Sequence, residues 1–181
     1  MACLFEGGLL ILALGLSQLT DQAILSRFRW DWRDFLAGSF AAVPPFLFFV
    51  WSLGSSWGPA VEIRIFLEVV LRPLFATQSL LQLSVISLLA GLGEEALFRG
   101  VIQGAMVVPL GWWGALLVAS LIFGMAHAVN RSYTLIASVV GLYLGALYLV
   151  SQNLLVPVAC HAVYDTLALV YFLRVVPPTP R

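Results

Sequence analysis

Long apolar runs decide what this chain can fold into. Stretches such as Ala41 to Val50 and Leu135 to Val150 pass without one charged residue, and a soluble domain of this size would have to expose much of them to water. Bilayer hydrocarbon solvates such segments and asks for about 20 apolar residues per helical crossing. Composition agrees: 61% of the 181 residues are hydrophobic and 10% are charged, against roughly 25% charged in an ordinary soluble domain.

Six spans fit, at about Ala2 to Leu19, Phe35 to Leu53, Ser79 to Val107, Trp112 to Val129, Tyr133 to Val150 and Leu154 to Leu173. The expected fold is all-α: a polytopic transmembrane helical bundle, one integral membrane domain over residues 1–181. MACLFEGGLL lacks a basic leader, so the first span is expected to be retained. Pro44 and Pro45 are expected to kink the second span. Between Gly58 and Phe75, Glu62, Arg64, Glu68 and Arg72 recur among apolar residues, which suggests an interfacial amphipathic helix or a soluble connector. The tail PPTPR reads as a short disordered end. Arg64, Arg72, Arg131, Arg174 and Arg181 on one side outnumber Arg27, Arg29 and Arg33 on the other, favouring cytoplasmic termini.

Net charge is zero, Lys is absent and the nine Arg are scattered, so no nucleic-acid surface or polybasic lipid-binding tail is expected. Cys3 and Cys160 lack metal-type spacing and read as small buried hydrophobes.

An acid or base at a helix centre costs about 2.5–3.5 kcal/mol on insertion scales and persists mainly where it is paired or used. Glu94, Glu95 and Arg99 in the third span, His127 late in the fourth, and His161 with Asp165 in the sixth stand out on this ground. Glu95 and Arg99, four apart, share a helix face and should pair, while Glu94 points about 100° away and is left free. Phe123 and His127 are one turn apart, as are His161 and Asp165. Glu94 lies 16 residues before Leu110 and His127 16 after Gly111, so a hairpin turning there sets both at one depth. Counted as pure helix from Gln152, His161 would be shallower, about 13 Å from its turn. An extended Asn153 to Val156, with the helix starting at Pro157, would bring His161 and Asp165 to the same level.

A carboxylate and an imidazole at one depth suit activation of a water, and a second imidazole suits stabilisation of the oxyanion formed when that water attacks an amide. Glu94, His127 and His161 are also the residue types that bind a divalent metal such as zinc, which would activate the water itself. The zinc-protease pattern H-E-x-x-H is absent.

EEALFR, FGMAH and HAVYD match, in order, the E-E-x-x-x-R, F-x-x-x-H and H-x-x-x-N/D motifs of the CPBP family, the CAAX protease and bacteriocin-processing (Abi) membrane proteins. The chain resembles that family from about Thr77 onward, with a core of about 77–175, and the family is similar to type II CAAX prenyl endopeptidases. The resemblance implies an intramembrane endopeptidase acting on a membrane-associated or lipidated peptide. In it Glu94 and His127 activate water, His161 and Asp165 stabilise the oxyanion, and Glu95, Arg99 and Phe123 support the site. It requires no cofactor if Glu94 and His127 act directly, and it implies a multi-pass protein of a bacterial plasma membrane. Asp165 stands where prenyl proteases usually carry Asn; an ionised Asp cannot donate to an oxyanion, so it is either protonated or orients His161.

Three other readings compete. GLGE and VYD are similar to the motifs of presenilin-like aspartyl proteases, but in reversed order and with Glu for one Asp. A rhomboid-like serine protease would need Ser39, Ser120 or Ser138 opposite His161. A non-enzymatic chaperone, immunity factor or proton-coupled carrier would use Glu94, His127 and His161 as a binding site or relay.

Overall fold

A computed structural model describes residues 2–178; the last residues of the PPTPR tail lie outside the described residues. Among those described, every regular element is helical. They are α1 (Ala2–Leu19), a single turn at Ile24–Arg27, α2 (Trp32–Gly54), α3 (58–75), α4 (80–110), α5 (112–126), α6 (Arg131–Ser151) and α7 (Leu155–Arg174).

Five continuous helical runs are long and apolar enough to cross a membrane, and one of them, Leu80–Ala126, has 47 residues. Straight, it would measure about 70 Å, more than twice the hydrocarbon thickness. Gly111 breaks it with φ 68° and ψ 173°, a conformation essentially confined to glycine. Beyond it the chain doubles back, bringing the Phe98 and Phe123 rings to 5.0 Å. The run is therefore the antiparallel pair α4 and α5, as the hairpin expected at Leu110 and Gly111 requires. Outward faces are apolar and bare, with Leu4, Leu19, Val108 and Val150 each more than four-fifths exposed. Lipid, not water, suits such a surface.

Local chemistry starts the helices. Asp31 accepts from the Arg33 backbone N–H (2.7 Å) at the head of α2. Ser79 and Gln82 form a reciprocal capping box at α4, and Asn130 accepts from the Tyr133 N–H (2.8 Å) at α6. The break in α2 falls at Ala42, slightly before the two prolines. Pro44 and Pro45 occupy the first turn of the resumed helix, where a missing N–H is harmless.

The connection between α6 and α7 corrects the expectation of an extended Asn153 to Val156. Gln152 takes a left-handed conformation (φ 50°) and the helix begins at Leu155, ahead of Pro157. The whole turn is instead set inward. The buried Asn153 carboxamide oxygen accepts from the Arg29 N–H (3.0 Å), and its Nδ2 donates to the Arg29 carbonyl (2.8 Å) and to Asp34 (2.8 Å). The Leu154 N–H donates to the Arg27 carbonyl (2.8 Å). Gly100, far down α4 from its tip, faces the Leu154 side chain, which a Cβ there would meet at 3.4 Å. Because its turn starts deeper in the bundle, a regular helix carries His161 to the level of the α4 acids.

Close helix contacts rest on small residues. A Cβ on Gly93 of α4 would stand 2.7 Å from the Glu6 carbonyl oxygen of α1. Gly93→Ala must push the first helix away, with an expected loss of about 1–3 kcal/mol, measured as a lower unfolding temperature in detergent. Helix α3 is no loose connector: Ile63 and Leu67 pack with Phe49, Leu83 and Phe172. Arg72 forks onto Glu68 (2.7 and 3.0 Å), donates to the Val176 carbonyl (3.1 Å), and lies 4.2 Å over the Phe172 ring. Those bonds lash the end of α3 to the end of α7.

Candidate functional site

After Glu95, α4 widens into π-helical turns over Ala96–Gln103, a distortion that recurs at functional sites. Arg99 nonetheless reaches back to Glu95, its Nη1 donating to Oε1 at 3.0 Å. The pair is sealed from solvent, at 1% and 0% exposure. Nη2 donates to the Gly141 carbonyl of α6 (2.8 Å), and the guanidinium lies 4.6 Å over the Phe123 ring. A buried cation is tolerable only with such partners. The same Glu95 oxygen accepts from His161 Nδ1 at 2.8 Å, so one carboxylate ties α4 to α7. Sequence spacing foresaw Arg99 on Glu95; His161 as its second partner was not foreseen.

Glu94 turns to the other side. His127 closes the C-terminus of α5 in a non-helical conformation (φ −100°, ψ 23°), and its Nδ1 lies 2.8 Å from the Phe123 carbonyl. A carbonyl only accepts, so Nδ1 carries the proton and, in the neutral ring, Nε2 keeps a lone pair. Nε2 stands 3.5 Å from Glu94 Oε2, as the equal-depth count predicted. Both atoms are acceptors, and that buried Glu94 oxygen has no hydrogen-bond donor. Phe123 stacks on the His127 ring at 4.5 Å and meets the His161 ring edgewise at 6.2 Å, which explains an aromatic residue one turn ahead of the imidazole.

His161 Nε2 points at Asp165 Oδ2, 3.4 Å away. Asp165 thus lies beside His161, one turn on in the same helix. A cavity of about 350 Å³ opens onto Glu94, Phe123, His127, His161 and Asp165, and continues between apolar residues that include Phe49, Leu67, Phe75 and Phe172. Glu95 and Arg99 lie behind this wall, joined to it through His161 and Phe123. One further acid, Glu6 of α1, lines the same cavity. The sequence signal was available, since Glu6 is the only acid in the first span, but it lies near that span's end and not at a helix centre.

The hydroxyls of Ser39, Ser120 and Ser138 are each spent on a carbonyl one turn back in their own helix, and His161 faces two carboxylates, so none of these three serines is hydrogen-bonded to His161. Among the described residues no group of three or more His, Cys, Asp and Glu side chains is arranged to hold a metal ion. Glu94, His127 and His161, the set a metal-assisted reaction would use, do not fit one: both His161 nitrogens are turned to Glu95 and Asp165.

Residues 76–167, just over half of the chain, match a family model described as type II CAAX prenyl endopeptidase Rce1-like. The chain is also 34% identical over 112 residues to an Escherichia coli protein described as an uncharacterized 24.3 kDa protein, across 58% of this chain and 52% of that one. It thus spans about half the length of that relative. No solved structure matches it.

Proposed function

The chain belongs to the Rce1-like type II CAAX prenyl endopeptidase family, and from that premise we propose that it is an intramembrane endopeptidase, cutting a peptide bond in a membrane-associated or lipidated peptide with a water activated by Glu94 and His127. The observation that carries this reading is the facing pair of acceptors, Glu94 Oε2 and His127 Nε2, 3.5 Å apart at the wall of a cavity. Two acceptors without a donor suit a water, which has two hydrogens to give. Its oxygen attacks the carbonyl carbon while a proton passes to Glu94; the C–N bond then breaks and Glu94 returns the proton to the leaving amine. His161, anchored at Nδ1 by Glu95, donates to the oxyanion through Nε2, which exchanges its 3.4 Å contact with Asp165 for the substrate oxygen. Arg99 keeps Glu95 in place. The apolar end of the cavity takes apolar side chains or a lipid chain of the substrate, and the setting is a bacterial plasma membrane.

Comparative peptidomics of membranes carrying the wild-type chain or Glu94→Gln tests activity and substrate together. A precursor peptide accumulating only with Glu94→Gln is the expected outcome; identical peptide populations would leave the cluster as a binding site or proton relay. The reaction runs through Glu94 and His127 themselves, so the purified protein should keep its rate in excess chelator. A rate lost to chelator and restored by one equivalent of a divalent ion would overturn the direct mechanism.

A further inference from the structure

Among the described residues, each acid and histidine lining the cavity faces a side chain of the opposite charge type except one. Glu94 faces His127, Asp165 faces His161, and Glu95 takes both His161 and Arg99. Glu6 has no such partner: its Oε2, like Glu94 Oε2 and Glu95 Oε2, is buried without a hydrogen-bond donor, and the residue lines the cavity. Its position is not accidental slack, because the Glu6 carbonyl is packed against Gly93, the residue before Glu94. A buried carboxylate oxygen without a donor is costly, and a protein keeps such a group in a cleft when something else supplies the donor. The chain has no Lys, and among the described residues no Arg lines the cavity. A substrate anion placed there would meet three carboxylates, while an ammonium or guanidinium would find Glu6 free.

We propose that Glu6 is a specificity-determining residue, and that the cavity takes a peptide carrying a cationic group, a Lys or Arg side chain or an amino terminus, beside the apolar residues that fill its other end. The assignment rests on the endopeptidase reading for its setting, though not for its electrostatics. Charge-assisted hydrogen bonds to a desolvated carboxylate are the strong ones, and they separate a cation from its uncharged isostere.

Binding separates the two claims. Three fluorescent Leu/Ala peptides, alike except for a single Lys, norleucine or Glu, are titrated against the full chain bearing Glu94→Gln in lipid nanodiscs, so that bound peptide is not consumed. The Lys peptide should bind about tenfold tighter than the norleucine peptide, and the Glu peptide most weakly. Adding Glu6→Gln should bring the three affinities together, and adding Glu6→Lys should favour the Glu peptide. Equal affinity for Lys and norleucine peptides, or a Lys preference that survives Glu6→Gln, would overturn the assignment, and the first comparison needs no change at position 6. Hydrolysis of the same peptides by the wild-type chain reads the other claim. Lys-selective binding without cleavage leaves Glu6 as assigned and removes the protease, whereas cleavage indifferent to Lys keeps the protease and removes the role of Glu6.

Discussion

Glu94→Gln is expected to lower peptide hydrolysis by about 10²–10⁴-fold, the usual contribution of a positioned general base, while the protein stays as stable as the wild type or becomes more so. Both halves follow from one geometry. Glu94 Oε2 is buried beside His127 Nε2 with no donor between them, so the carboxylate sits in a place that favours reaction over comfort. A carboxamide of the same shape cannot take a proton from water, but its NH₂ can donate to the His127 lone pair and fill the missing hydrogen bond. Loss of turnover with an unchanged or higher unfolding temperature is the joint signature. A variant that keeps wild-type turnover would show that Glu94 is not the base, and one that unfolds would show that the carboxylate is structural.

Arg99→Met should be the most destabilising single change at the site, by about 3–5 kcal/mol, because it strands one partner of a fully buried ion pair. Met approximates the aliphatic length of Arg and can still pack on Phe123, but it takes one donor from the Gly141 carbonyl and one from Glu95 Oε1, leaving that buried carboxylate with His161 alone. Pairing Arg99→Met with Glu95→Leu should recover most of that stability, since well-packed apolar groups in place of a buried pair are often neutral or better. Activity should not return with it, because His161 Nδ1 is bound to the same Glu95 oxygen and loses its anchor in the double variant. A double-mutant cycle on unfolding temperature and turnover separates the two roles. Restored turnover in a restored fold would show that Glu95 merely neutralises Arg99.

The parts of the site visible from sequence are those governed by local geometry. Glu95 and Arg99 had to share a face, and the equal counts from Leu110 and Gly111 had to set Glu94 level with His127; both follow from the rise and pitch of a helix. The depth of His161 depends on where the turn before α7 sits, and that is settled by Asn153 bonding to Arg29 and Asp34. Such bonds join residues far apart in the chain and leave no periodic trace. The same reason hid Glu6: its inward face exists only because Gly93 lets α1 lie against α4. Helix-by-helix hydropathy placed the crossings well, but it carries no information about which flank of a crossing meets which neighbour.

Asn153, held by a loop that precedes the family-matched residues 76–167, limits what can be cut from this protein. Two of the fastenings that set the pocket's shape, the Asn153 clasp and the seat of α1 on Gly93, come from the first 34 positions. The family-matched stretch is thus not a portable catalytic cassette. Transplanted without the 75 residues that precede it, it would keep its motifs and lose the scaffolding that aims them.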